Sequence, residues 1–86
     1  MITYKAMYRF LPGGWVHAEV LDYPGVITCA RSQEDARRDL RGALVDMAES
    51  DLLDGRPLPT PDPSRTHPQA DLEEPVVVGV LPVEEA

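Results

Sequence analysis

"LDYPGVITCARSQEDA", residues 21–36, places a turn, a strand and a helix start within one short stretch, and its reading decides the fold. Pro24 has the fixed φ that suits the second position of a β-turn. Gly25 reaches the positive φ that the third position of a type II turn requires. Residues 26–31 are rich in β-branched and small side chains and read as a strand. Ser32 then stands where its hydroxyl can accept the amide of Asp35. Gln33, Glu34 and Asp35 follow, with acid in the first turn where the helix dipole favours it. The turn therefore sets the register of two strands, and the second strand delivers the chain to a helix.

Toward the N-terminus, residues 2–11 alternate. Ile2, Tyr4, Ala6, Tyr8 and Phe10 share one face, and Thr3, Lys5, Met7, Arg9 and Leu11 the other. Pro12-Gly13-Gly14 signals a hairpin. Residues 15–21 alternate again, with Val16, Ala18 and Val20 inward and Trp15, His17 and Glu19 opposite. Trp15 either covers the second side of the sheet or anchors an interface, where tryptophan is over-represented among hot spots.

Toward the C-terminus, Ala36, Leu40, Ala43, Leu44, Met47 and Ala48 recur on one helical face, giving a helix over 33–50. The 100° step would carry Asp51 onto that buried face. The regular helix is therefore expected to end near Ser50, with Gly55 stopping what remains. Asp35, Asp39, Asp46 and Glu49 fall within an arc of about 80° that also holds Gly42. Such a stripe suits docking of a basic protein, with Gly42 allowing close approach. Arg37 and Arg41 flank the apolar face, and Glu34 is spaced to pair with Arg38.

Residues 56–72 form a Pro-rich connector, since Pro57, Pro59, Pro61 and Pro63 exclude regular helix and central strand. A fourth strand is expected over 75–81, bracketed by Pro75 and Pro82. Its residues Val76, Val77, Val78, Val80 and Leu81 are apolar on both faces and would be an aggregation hazard if exposed, which marks them as an edge-pairing or intersubunit element. The small core of an 86-residue chain points the same way, to a homo-oligomer, dimer or tetramer. The expected fold is α+β, a single domain over 1–86: a three-stranded antiparallel meander (2–11, 15–21, 26–31), one packed helix, the connector and a fourth strand.

The formal net charge is −7, and nearly all the acid lies after Arg31. Direct DNA or RNA binding is disfavoured by such a field, and a basic protein partner is favoured. Cys29 is the only cysteine, which excludes a disulfide framework or a zinc cluster, and its strand neighbours suggest a small hydrophobe. No apolar run approaches the roughly 18 residues of a membrane span, and the N-terminus lacks a signal-peptide pattern, so a cytoplasmic protein is expected.

Two-metal hydrolysis needs several converging carboxylates. The first three strands offer only Glu19 and Asp22, so no metal, cofactor or catalytic residue is expected and the chain reads as a non-enzyme. His17 has Glu19 two residues away to orient it but no nucleophile, which makes it a surface or interface histidine. His67 sits in the connector and is expected to be solvated. The candidate contact residues are Trp15, His17, Asp22 and Tyr23 at the exposed turn tip, Asp35, Asp39, Asp46 and Glu49. Pro24, Gly25 and Ser32 are architectural.

The ordered set Gly14, Trp15, Asp22, Pro24, Gly25, Thr28, Ser32, Glu34, Asp35 and Ala36, with Gly55, Pro57 and Pro59 after the helix, resembles the HicB-like antitoxins of bacterial toxin–antitoxin systems. The resemblance covers roughly residues 2–60. It implies a partial ribonuclease-H-like fold and the role of a type II antitoxin, which binds and masks a small basic HicA-type toxin that cleaves mRNA. An orphan HicB-like interaction or regulatory module without a toxin is the alternative. Val26, Ala30 and Leu21 depart from residues usual in the family. Many members continue into a DNA-binding domain that is not found in these 86 residues, so operator binding is not expected.

Overall fold

The structure, a computed structural model, describes residues 1–79. Its elements are β1 (Ile2–Phe10), a 3-10 turn (Pro12–Gly14), β2 (Val16–Val20), β3 (Ile27–Ala30), α1 (Gln33–Leu53) and β4 (Leu72–Val78). The strands form one antiparallel sheet in the order β3-β2-β1-β4, with α1 packed on one face. This is the α+β architecture expected from the pattern of alternation.

Register explains which residues meet α1. Ala6, Tyr8 and Phe10 lie opposite Val20, Ala18 and Val16, and Tyr4 opposite Val76, so these residues share one side of the sheet. Tyr4, Ala6, Tyr8, Val16, Ala18 and Val20 form a core there with Ala36, Leu40, Leu44 and Ala48 of the helix. Phe10, at the end of its strand, stays exposed. The hairpin after β1 is a short 3-10 turn in which Gly13 and Gly14 both have positive φ. In the second turn Gly25 has φ +93°, and the Val26 amide donates to the Tyr23 carbonyl at 3.3 Å, the geometry of a type II turn on Pro24-Gly25.

The helix runs three residues past Ser50. Ser32 caps its start, accepting from the Asp35 amide at 3.1 Å. At its end Gly55 has positive φ and donates to Leu52, while Arg56 donates to Asp51, the paired bonds of a Schellman motif. Asp51 does turn toward the core side, but it does not stop the helix. Tyr23 Oη donates to its carboxylate at 2.5 Å, and Arg56 Nε does so at 3.0 Å. A carboxylate with these partners is tolerated where an unpartnered one would not be.

The fourth strand begins at Leu72, not at residue 75, so Pro75 lies inside it and not at its border. The sheet order accounts for this. Lys5 directs its amide to Asp22 and its carbonyl to Leu21, away from β4, so Pro75 opposite it faces the free edge and forfeits no ladder bond. Nor is the strand apolar on both faces in the same sense. Val76 and Val78 are core residues, and Val77 alone of the three is exposed. The assignment of Val76 and Val78 as intersubunit residues is corrected accordingly: both are consumed by the fold, while β4 does pair with β1 at the sheet edge. Val80 and Leu81 lie outside the described residues.

The connector is a strap. Tyr4 Oη donates to the Pro59 carbonyl at 2.8 Å, and the Asp62 amide donates to Asp22 at 2.9 Å. The chain then crosses to the face of the sheet away from the helix, where Lys5 Nζ donates to the carbonyls of Pro63 (2.6 Å) and Arg65 (2.9 Å). The His67 amide donates to Glu73, and Asp71 closes the path by bonding Tyr8 and Phe10. Met7 points to this second face and is fully buried. His67 is accordingly half-buried, and its Nδ1 accepts the Gln69 amide.

Candidate protein-binding surface

The outward face of α1 carries the acidic stripe. Asp39, Asp46 and Glu49 are exposed, and Asp35 is half-buried. Arg38 bridges Asp35 (2.9 Å) and Asp39 (3.6 Å), relieving the repulsion of like charges one turn apart. Arg38 thus pairs with these two and not with Glu34. Asp46 and Glu49 have no ion-pair partner among the described residues. Gly42 lies on the same face between Asp39 and Asp46, and a Cβ placed there would meet no heavy atom within 4 Å. The middle of the stripe is therefore flat, anionic and open.

Asp22 and Tyr23 are not at an exposed tip. Asp22 is 5% exposed and Tyr23 2%, while Pro24 and Gly25 form the exposed apex. Asp22 accepts the amides of Lys5 (2.8 Å) and Asp62 (2.9 Å), so both carboxylate oxygens are used inside the molecule. Tyr23 packs edge-on against Tyr4, with centroids 5.2 Å apart. Burial, reinforced by the hydrogen bond to Asp51, raises the Tyr23 pKa, and the same bond first, then Arg56, lowers that of Asp51. Both turn residues belong to the framework, which removes them from the candidate contacts.

The helix-free face holds the other aromatic candidate. Trp15 is 39% exposed, and the Arg31 guanidinium lies 4.4 Å from its ring centroid, a cation–π stack. His17 is half-buried and bonds Glu19 through Nε2 at 3.0 Å. With Glu19 bound to His17 and Asp22 bound to backbone amides, the two acids of the meander diverge. Among the described residues no three His, Cys, Asp or Glu side chains are placed to hold a metal ion. Cys29 is exposed on this half of the sheet and is not a buried hydrophobe.

Two side-chain links escaped the sequence because they join distant segments. Arg37 donates twice to Glu74, at 2.7 and 3.1 Å, clamping α1 to β4 across 37 positions. These bonds hold Glu74 below the usual carboxylate range, and burial, with Glu74 nearby, pushes Tyr8 up to about 12. The second link is Lys5 to the strap. Its only trace in the sequence is that Lys5 is the one lysine of the chain, set mid-strand in β1. A groove of about 550 Å³ runs beside it, lined by Tyr4, Lys5, Asp22, Pro61, Pro63, Glu73, Glu74 and Pro75, with Thr3 at its rim. Every carboxylate in that groove already has an intramolecular partner.

No helix among the described residues is long and apolar enough to cross a membrane. No protein-family model matches the chain, and no curated protein matches it in sequence. In structure it is similar to the N-terminal domain of Burkholderia pseudomallei antitoxin HicB, with a TM-score of 0.78 and 20% sequence identity, over 92% of this chain and 100% of that one. That overlap takes in nearly the whole chain, so the chain carries the α+β fold of the HicB antitoxin's N-terminal domain.

Proposed function

We propose that the chain is a non-enzymatic antitoxin-like protein, acting as a homo-oligomer, that binds and masks a small basic toxin of the HicA type. The observation that carries this reading is an open anionic helix face on an antitoxin-like fold. A toxin that cleaves mRNA must present cations to a phosphate backbone, and an acidic surface competes for those same cations. Asp39, Asp46 and Glu49 are the charges that point outward to meet it, with Gly42 allowing the partner's backbone to come close. Trp15 and His17 form a second candidate contact on the far face of the sheet.

Co-expression with a short, basic, histidine-containing product encoded beside this gene tests the reading. The expected results are co-purification of the two chains and relief of growth arrest. The double variant Asp39→Lys, Asp46→Lys is expected to weaken binding about tenfold or more and to flatten its dependence on salt. Unchanged affinity and an unchanged salt slope would remove the helix face from the mechanism. Failure of any basic neighbour to bind would remove the antitoxin role.

A further inference from the structure

The two edges of the sheet are built differently. On β4 the residue whose main chain faces outward near the middle is Pro75, whose ring removes the donor another strand would need. The β3 edge has no such guard. Leu21 bonds to Lys5, which turns the alternate residues Val16, Ala18 and Val20 toward β3, as the bond from Val20 to Val26 at 3.0 Å shows. Their partners Ala30 and Thr28 bond inward, leaving the amides and carbonyls of Ile27 and Cys29 directed to solvent. From Val26 to Ala30 there is no proline, glycine or charge. The Ile27 side chain is 55% exposed, and Cys29 is exposed beside it.

We propose that this edge pairs with a second copy of the chain, β3 against β3, antiparallel and centred on Cys29. An antiparallel edge is self-complementary about a two-fold axis, as an isologous dimer requires. Centring on Cys29 pairs the outward main-chain groups of Cys29 with each other and those of Ile27 with Arg31, the residue that follows the strand. It also sets each Ile27 opposite the second copy's Arg31, next to the stack of that Arg31 on Trp15, so two half-exposed apolar groups cover one another. The two Arg31 guanidiniums are kept apart. The product is one continuous eight-stranded sheet with both helices on the same face, and the acidic stripe pointing away from the sheet remains open. The pairing deepens the homo-oligomer of the proposed function; it occupies Trp15 but leaves the helix-face contact with a toxin open. An edge this short buries less than the roughly 1,200 Å² of a standard interface, so the dimer dissociates on dilution.

Sedimentation equilibrium of the intact chain over a wide concentration range is expected to show its mass rising from one chain to two. Cys29→Pro transfers to β3 the device that Pro75 provides on β4, since the outward amide of Cys29 has no bond to lose. It is expected to give a single-chain mass throughout with unchanged far-ultraviolet circular dichroism. Ile27→Lys, which sets a charge against the second copy's Arg31, is expected to weaken association at least about tenfold. Directly paired residues bring two Cys29 Cα atoms to about 5.5 Å, so a short bismaleimide is expected to trap wild-type dimers at Cys29 in good yield. A single-chain mass at every concentration would overturn the proposal. So would a dimer indifferent to both substitutions, or one that the reagent leaves uncrosslinked. If Cys29→Pro fails to fold, Ile27→Lys and the cross-linking yield decide.

Discussion

Asp22 accepts the main-chain amide of Asp62 at 2.9 Å, tying the β2–β3 turn to a connector residue 40 positions later, and its other oxygen holds the amide of Lys5 in β1. One buried carboxylate thus fastens the turn, the first strand and the strap. In Asp22→Asn a side-chain NH2 replaces one of the two acceptors and faces an amide donor. The expected cost is about 1–3 kcal/mol, the range for a buried group left without a partner. A lower urea midpoint with unchanged slope and faster hydrogen exchange over residues 59–67 would show it. An Asn variant as stable as the parent would mean that the strap is held elsewhere.

The bond from Tyr23 to Asp51 makes stability depend on pH. Asp51 and Glu74 both have depressed pKa values in the folded chain, through the Tyr23 bond and the Arg37 bonds respectively. Their contribution is therefore complete above the ordinary carboxylate pKa of about 4 and is lost as pH falls through the folded values. Melting temperature is expected to hold from pH 7 to about 5 and to drop below that. Tyr23→Phe should lower it at neutral pH and make the acid limb shallower, because Asp51 loses its principal partner. Superimposable acid limbs would contradict the assignment.

At the alkaline end the direction reverses. Burial raises Tyr8 to about 12, so what it contributes is complete below the ordinary tyrosine pKa of about 10. That contribution is lost as the pH climbs toward 12. A spectrophotometric titration at 295 nm is expected to show Tyr8 ionising late, together with unfolding, and Tyr8→Phe should reduce that late component without abolishing it, because burial raises Tyr4 and Tyr23 as well.

Gly42 is a helix-interior glycine in open space, with no neighbour for a new methyl group to strike. Gly42→Ala is expected to stabilise the chain by about 1 kcal/mol, the helix-propensity difference, measurable as a higher urea midpoint. If the partner's backbone lies against this face, the same substitution weakens binding while it strengthens the fold. A loss of stability would show that the glycine serves the helix in another way.

Leu44 and Leu53 show how far burial, and not residue type, governs cost. Leu44 is fully buried and Leu53 is 79% exposed. Leu44→Ala is expected to cost about 2–5 kcal/mol, and Leu53→Ala to change stability by no more than about 0.5 kcal/mol. Chemical denaturation of the two variants side by side checks the contrast, and equal losses would displace the helix from its assigned face.

Local signals are legible because each rests on neighbours in the chain. Alternation in residues 2–11 and 15–21 reports which side of a strand is dry, the positive φ of Gly25 follows from a type II turn, and Ser32 caps a helix three residues from its own hydroxyl. The acidic stripe was legible too, since a helix converts spacing directly into a surface. Tertiary structure alone decided that Asp51 is tolerated, that Asp22 and Tyr23 turn inward, that Pro75 sits within an edge strand and that the β3 edge is left bare. Each of these depends on a partner tens of residues away, and whether a polar group is buried, bonded or free is a property of the packed pair, which no window of sequence contains.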